Sequence, residues 1–126
     1  MDKKILIVDD EHHLRLLIAR ALQDLEDEGV ELLTANDGEA GLALIQDERP
    51  QLVFLDVMMP KKNGFEVCHT VKYELGIQDV CIILLTAKGQ EIDIQHGEQM
   101  GADLYMTKPF DPDDLLAKAK AILGFE

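Results

Sequence analysis

Four consecutive apolar residues, Leu52-Val53-Phe54-Leu55, stand between Pro50 and Pro60 and run directly into Asp56. A short continuous apolar run of this kind lacks the alternation of a strand with one wet face, so it reads as a strand buried on both sides, as in a parallel sheet. Parallel strands need long crossover connections, usually helical, so this one stretch already constrains the rest of the chain. Its last residue is a carboxylate. In open α/β sheets ligands bind beyond the carboxyl ends of the strands, which gives Asp56 a functional reading beside the ordinary one of a turn or capping residue.

The pattern recurs along the chain. Lys4-Ile5-Leu6-Ile7-Val8 ends at Asp9-Asp10, Val30 to Ala35 is a short second strand, Val80 to Leu85 stops at Thr86-Ala87, and Ala102 to Thr107 precedes Lys108-Pro109-Phe110. Helical patterns fill the intervals. Leu14, Leu17, Ile18, Ala21, Leu22 and Leu25 form an amphipathic stripe that ends near Gly29. Asn36, with Glu39 three residues on, reads as the N-cap of a second helix reaching about Asp47. Phe65, Cys68, Val71 and Lys72 mark the inner edge of a third helix after the loop Lys61-Lys62-Asn63-Gly64, and Ile92, His96 and Met100 mark one side of a weaker fourth, 90–100, with Gly97 inside it. Asp111-Pro112 opens the last, whose buried face carries Leu115, Leu116, Ala119, Ile122 and Leu123.

Five strands alternating with five helices predict right-handed βαβ crossovers and a doubly wound α/β fold, its parallel sheet covered on both faces. With 126 residues the chain reads as one domain over 1–126, since domains cluster at about 100–150 residues. The chain closes on Gly124-Phe125-Glu126 soon after the last helix, so these residues hold no second domain, and a single-domain protein and the excised N-terminal domain of a longer one both fit.

Composition narrows the function. Hydrophobic residues make up 47% and aromatics 5%, so the core is expected to be aliphatic. No stretch approaches the roughly 20 apolar residues of a membrane span, and Met1-Asp2-Lys3-Lys4 leads straight into a strand, which predicts a cytoplasmic protein without membrane insertion. The net charge of −13 and the scattered basic residues exclude direct nucleic-acid binding driven by counterion release, so any link to transcription runs through a partner. Cys68 and Cys81 have no metal-ligand or CxxC spacing and read as packing residues. His12 and His13 point in different directions from the head of the first helix and read as surface residues, while His69 and His96 belong to no ligand-like spacing.

A doubly wound sheet would gather Asp9-Asp10, Asp56, Thr86 and Lys108 at one edge. Carboxylates sharing a pocket repel, by about 4 kcal/mol for two unit charges roughly 4 Å apart at an effective dielectric near 20. A hard dication answers that need, and Mg²⁺ suits one or two carboxylates completed by water and a phosphate oxygen. Lys108 is a point charge suited to phosphate, and Thr86 offers a hydroxyl.

The run Val8-Asp9-Asp10-Glu11, Asp56 followed by Met59-Pro60 and Gly64, Thr86-Ala87, and Gly101-Ala102-Asp103 leading to Tyr105 and Thr107-Lys108-Pro109-Phe110 together resemble the receiver domain of two-component response regulators, across the whole chain. The resemblance implies a flavodoxin-like (βα)5 sandwich with strand order 2-1-3-4-5. It implies that Asp56 accepts a phosphoryl group from a sensor histidine kinase or histidine phosphotransfer protein. Asp10, Asp56 and the Met58 backbone carbonyl would hold Mg²⁺ or Mn²⁺, with Asp9 acting directly or through water. Lys108, the Thr86 hydroxyl and the Ala87 amide would engage the phosphoryl oxygens. Tyr105 would turn inward with Thr86, switching the surface formed by the fourth helix, fifth strand and fifth helix toward a downstream effector. The protein would be a monomer or a phosphorylation-dependent dimer, not a turnover enzyme on a small substrate, and its Lys108-Pro109 bond would be cis. Met58 and Lys88 occupy positions that tune the lifetime of the phosphoryl group, and apolar Met58 is expected to screen it from water.

Three other readings compete. An aspartyl phosphatase wants a second acid two residues after the nucleophile, where Met58 stands; a flavin module wants a Ser/Thr/Gly-rich loop where Asp9-Asp10-Glu11 would repel phosphate. The third is a receiver-like interaction module acting without phosphorylation, against which the full set of acids, Thr86 and Lys108 speaks.

Overall fold

A computed structural model describes residues 3–59, 61–87 and 100–125. The expected helix 90–100, with Ile92, His96 and Gly97, lies outside these residues apart from Met100, as does Lys88. The strands are β1 (Lys4–Val8), β2 (Glu31–Ala35), β3 (Leu52–Asp56), β4 (Cys81–Ala87) and β5 (Leu104–Lys108); the helices are α1 (His12–Ala21), α2 (Gln23–Asp27), α3 (Gly38–Glu48), α4 (Gly64–His69) and α5 (Pro112–Leu123). All described strand pairs are parallel, and the sheet order is β2-β1-β3-β4-β5. This is the flavodoxin-like order that the resemblance implies.

The continuous apolar runs feed two cores, because successive strand residues point to opposite faces. Ile5, Ile7, Leu52, Phe54, Ile83 and Leu85 meet Ile18, Leu22, Leu115 and Ala119 from α1 and α5 and the turn between α1 and α2. Leu6, Val8, Val53, Leu55, Ile82 and Leu84 meet Ile45, Val67, Cys68 and Val71 on the other side. The core is aliphatic as expected, with Phe54 the large aromatic at its centre. No helix among the described residues is long and apolar enough to cross a membrane.

Local details depart from the sequence reading in three places. The first helical stripe is broken at Leu22, whose N–H is shared between Ile18 O and Ala19 O, tightening the last turn of α1 before α2 begins. Leu17, which the stripe placed inside, is exposed. The expected end near Gly29 does hold: Gly29 sits at φ +98° while its N–H reaches Glu26 O and that of Val30 reaches Leu25 O, a Schellman close. The N-cap of α3 is Asp37 rather than Asn36, with its carboxylate accepting from Ala40 N–H at 2.8 Å. Finally, Asn63 belongs to α4 as its N-cap, in a capping box with Glu66, and α4 passes into a π-helical turn over Thr70–Glu74.

Candidate functional site

The C-terminal ends of β1, β3 and β5 converge because the sheet is parallel and these strands lie close together in it. One carboxylate oxygen from each of Asp9, Asp10 and Asp56 lies within 4.8 Å of the others. Asp9 is fully buried and Asp56 nearly so, while Asp10 is exposed at the mouth. Lys108 Nζ donates to Asp56 Oδ1 at 2.8 Å and to Asp9 Oδ2 at 3.3 Å. The expected grouping of the acids with Lys108 therefore exists, and the Lys108-Pro109 bond is cis.

Of the remaining candidates, Met58 follows β3 and lines the same cleft as Asp10, Asp56 and Lys108, whereas Thr86 and Ala87 lie on β4 and Tyr105 on β5. Thr86 is buried one residue beyond Leu85, which pairs with Asp56 in register. Ala87 follows it, opposite Lys108 in the β4–β5 ladder. Met58 N–H hydrogen-bonds the Asp56 carboxylate, while the Met58 side chain is 75% exposed at the rim of the site. Tyr105, opposite Leu84, is half-buried against the core on the α3–α4 side. Asp10, Glu11, Asp56, Val57, Met58, Leu85 and Lys108 line an open cleft of about 250 Å³. Two larger clefts, of about 340 and 380 Å³, lie away from these acids; the acidic cluster, not cavity size, singles out the site.

The electrostatics follow from burial. Desolvation raises the Asp56 carboxyl above the usual carboxylate range; the Lys108 hydrogen bond opposes this and the charge of Asp9 adds to it. Asp9 is raised for the same first reason, against the Glu11 N–H bond and Lys108. Burial pulls the Lys108 ammonium down, but the hydrogen bond and charge of Asp56, with Asp9, leave it above its ordinary value. The site is thus short of positive charge, and its donors are hard carboxylate oxygens, the set that Mg²⁺ or Mn²⁺ takes. Both cysteines are free, and burial pushes their thiols up, to about 12 at Cys68 and about 11 at Cys81, in line with packing roles.

Two supporting contacts were not visible in the sequence, although Gly64 belongs to the pattern that carries the resemblance. Gly64 lies so close under the acceptor strand that a Cβ there would stand 2.4 Å from the Asp56 carbonyl oxygen. Arg15 donates from Nη1 to the Asp9 carbonyl oxygen at 2.6 Å. A signal for Arg15 existed: long side chains on a helix lean toward its N-terminus, and the first turn of α1 follows the acidic pair.

A family model described as the response regulator receiver domain matches residues 5–120. The chain is 45% identical over 123 residues to the alkaline phosphatase synthesis transcriptional regulatory protein PhoP of Bacillus subtilis, covering 98% of this chain and 49% of that protein. It is 45% identical over 121 residues to the phosphate regulon transcriptional regulatory protein PhoB of Pseudomonas aeruginosa, covering 96% and 52%. The chain thus spans about half the length of these curated relatives. Among solved structures, the BeF3-activated DrrB receiver domain superposes with a TM-score of 0.83 at 34% identity, covering 98% of this chain and 99% of the other. The chemotaxis protein CheY4 of Vibrio cholerae gives a TM-score of 0.83 at 32% identity, covering 97% and 99%.

Proposed function

This chain belongs to the response regulator receiver family, a signalling module of two-component systems, and we propose that Asp56 is the residue on which it takes up a phosphoryl group. The observation that carries this reading is the meeting of Asp9, Asp10 and Asp56 at the strand ends with the Lys108 ammonium on two of them. An Asp56 carboxylate oxygen attacks the phosphorus of a phosphohistidine on a sensor histidine kinase or histidine phosphotransfer protein. The P–N bond breaks, the P–O bond of an aspartyl phosphate forms, and the imidazole nitrogen leaves with the bonding pair.

Asp9, Asp10, Asp56 and the Met58 carbonyl would hold a divalent ion, Mg²⁺ or Mn²⁺. Bound there, it supplies positive charge against the phosphoryl oxygens, where most of the catalysis of such transfers resides. Lys108 transfers its hydrogen bond from the Asp56 oxygen to a phosphoryl oxygen. The Thr86 hydroxyl and the Ala87 amide close on the remaining oxygens, and Tyr105 moves inward with Thr86 to present an altered surface to an effector protein or domain. Met58 covers one side of the phosphoryl group. The whole would work in the cytoplasm, over residues 1–126 as one receiver domain, as a carrier rather than a turnover enzyme, monomeric or dimerising when phosphorylated.

Incubation with Mg²⁺ and acetyl phosphate, followed by intact mass measurement, tests the reading. A labile phosphoryl adduct on the native protein, absent in Asp56→Asn, is the expected result. No adduct on the native protein, or one that persists at full level in Asp56→Asn, overturns it and leaves an interaction module that works without phosphorylation.

A further inference from the structure

We propose that Arg15 is a positioning residue for the divalent-ion site, acting through the main chain at Asp9; the inference rests on the metal-dependent reading above. Asp9 is fully buried, and every polar group it carries has a described partner. Its N–H donates to Ala35 O at 3.2 Å, its Oδ1 accepts from Glu11 N–H at 2.9 Å, and its Oδ2 accepts from Lys108. Its carbonyl lies at the break between β1 and α1, beyond the sheet ladder and ahead of the helical one, and is taken up by Arg15 Nη1 at 2.6 Å. The guanidinium is itself steadied one turn back, where Nη2 lies 3.5 Å from His12 Nδ1.

The aim of this cation is informative. Arg15 reaches Asp9, one of the three acids, yet among the described residues its polar contacts are a backbone carbonyl and a histidine ring, and the ion pairs of Asp9 and Asp56 are with Lys108. A fixed charge placed on the carboxylates would compete with a metal ion for their oxygens. One placed on the main chain between them locks the turn that presents Asp9 and Asp10 and leaves those oxygens available. Outer partners that orient metal ligands in this way influence affinity without touching the ion.

This role and a plain charge effect have opposite signs. If Arg15 acted only through its field, its removal would strengthen cation binding, because a positive charge near a dication is unfavourable. If it positions Asp9 and Asp10, its removal weakens binding. Arg15→Met removes both charge and donor at similar length, and Arg15→Gln removes the charge while keeping a shorter amide donor.

Mn²⁺ binding to the full chain, without phosphodonor, is followed by the electron paramagnetic resonance signal of the free ion, with a metal-free thermal melt of each variant. Arg15→Met is expected to bind Mn²⁺ about tenfold more weakly, and Arg15→Gln by a smaller factor, at little change in the metal-free melt. Equal or tighter binding in a folded variant overturns the positioning role; Arg15→Gln decides this should Arg15→Met not fold. A native protein that binds no Mn²⁺ overturns the metal site itself and the inference with it, a result separable from native-level binding in the variants.

Discussion

The Lys108 ammonium bridges Asp56 and Asp9, at 2.8 Å from one carboxylate and 3.3 Å from the other, so a single cation from β5 balances acids from the ends of β1 and β3. Replacing it leaves two buried carboxylates facing each other. Lys108→Met is expected to destabilise the metal-free fold at pH 7 by roughly 2 kcal/mol, less than for a fully buried pair because Lys108 is partly open to water. Saturating Mg²⁺ should recover more stability in Lys108→Met than it adds to the native protein, since the ion no longer competes with an ammonium. Urea unfolding with and without Mg²⁺ measures both, and an equal gain in the two proteins would contradict the bridge.

The raised carboxyls of Asp56 and Asp9 fix the sign of a pH dependence. A carboxyl whose folded value lies above its unfolded one, about 3.8, holds its proton more tightly in the fold. The metal-free protein therefore carries a penalty from these groups at neutral pH, which disappears as pH falls through the raised values toward the unfolded one. Asp37 acts oppositely: the Ala40 N–H bond lowers it, so its contribution is present above the ordinary carboxylate range and lost only as pH falls below. Asp56→Asn should then be more stable than the native protein at pH 7.5, by about 1 kcal/mol, with the difference closing near pH 4. A constant difference across that range would exclude charge burial as the cause.

The strand ends were legible because a parallel sheet converts linear order into proximity: once each apolar run is a strand, Asp9, Asp56, Thr86 and Lys108 need no further information to share an edge. Details that hinge on phase were not. Leu17 fits the helical spacing but lies at the edge of the stripe whose buried members are Ile18, Leu22 and Leu25, and it faces water. Asn36 and Asp37 are both good caps, and their order is settled by which side chain meets Ala40 N–H. The contact of Arg15 with Asp9 depends on a rotamer, and that of Gly64 with Asp56 on the path of a loop; neither leaves a periodic trace.

Gly64 makes that path testable. A methyl group at this position would meet the Asp56 carbonyl oxygen at 2.4 Å and Val57 Cα at 2.9 Å, both backbone atoms with no rotamer to yield. Gly64→Ala is expected to cost about 1–3 kcal/mol of stability and to slow acetyl phosphate labelling, because relief of the clash must displace the acceptor strand end or the start of α4. Native labelling kinetics in a destabilised Gly64→Ala would show that the loop absorbs the strain without moving Asp56.

Lys72 carries a charge that the binding site does not use. It lies in the π-helical turn on the inner edge that the sequence spacing marks, where its side chain is 5% exposed and its ammonium meets the Val80 carbonyl oxygen and lies 3.1 Å from Asp103 Oδ2. Asp103 also exchanges bonds with Ile82, accepting at 2.8 Å through Oδ2 and donating from its N–H at 3.0 Å, just before β5 begins. The pair thus fastens the π-helical turn after α4 to the entry of the β4–β5 ladder, at the end of the sheet remote from Asp56. Its two halves are unequal, because the Asp103 side chain is 41% exposed and can return to water, whereas the Lys72 ammonium cannot. Asp103→Ala strands a buried cation and is expected to cost roughly 3 kcal/mol. Lys72→Met keeps the apolar stem and removes the buried charge, so its cost should be nearer 1 kcal/mol. Both variants should still take up phosphate from acetyl phosphate when folded. Chemical denaturation of the two decides the point: a larger loss in Lys72→Met would mean that the lysine stabilises chiefly through its hydrogen bond to Val80, not that its charge needs Asp103.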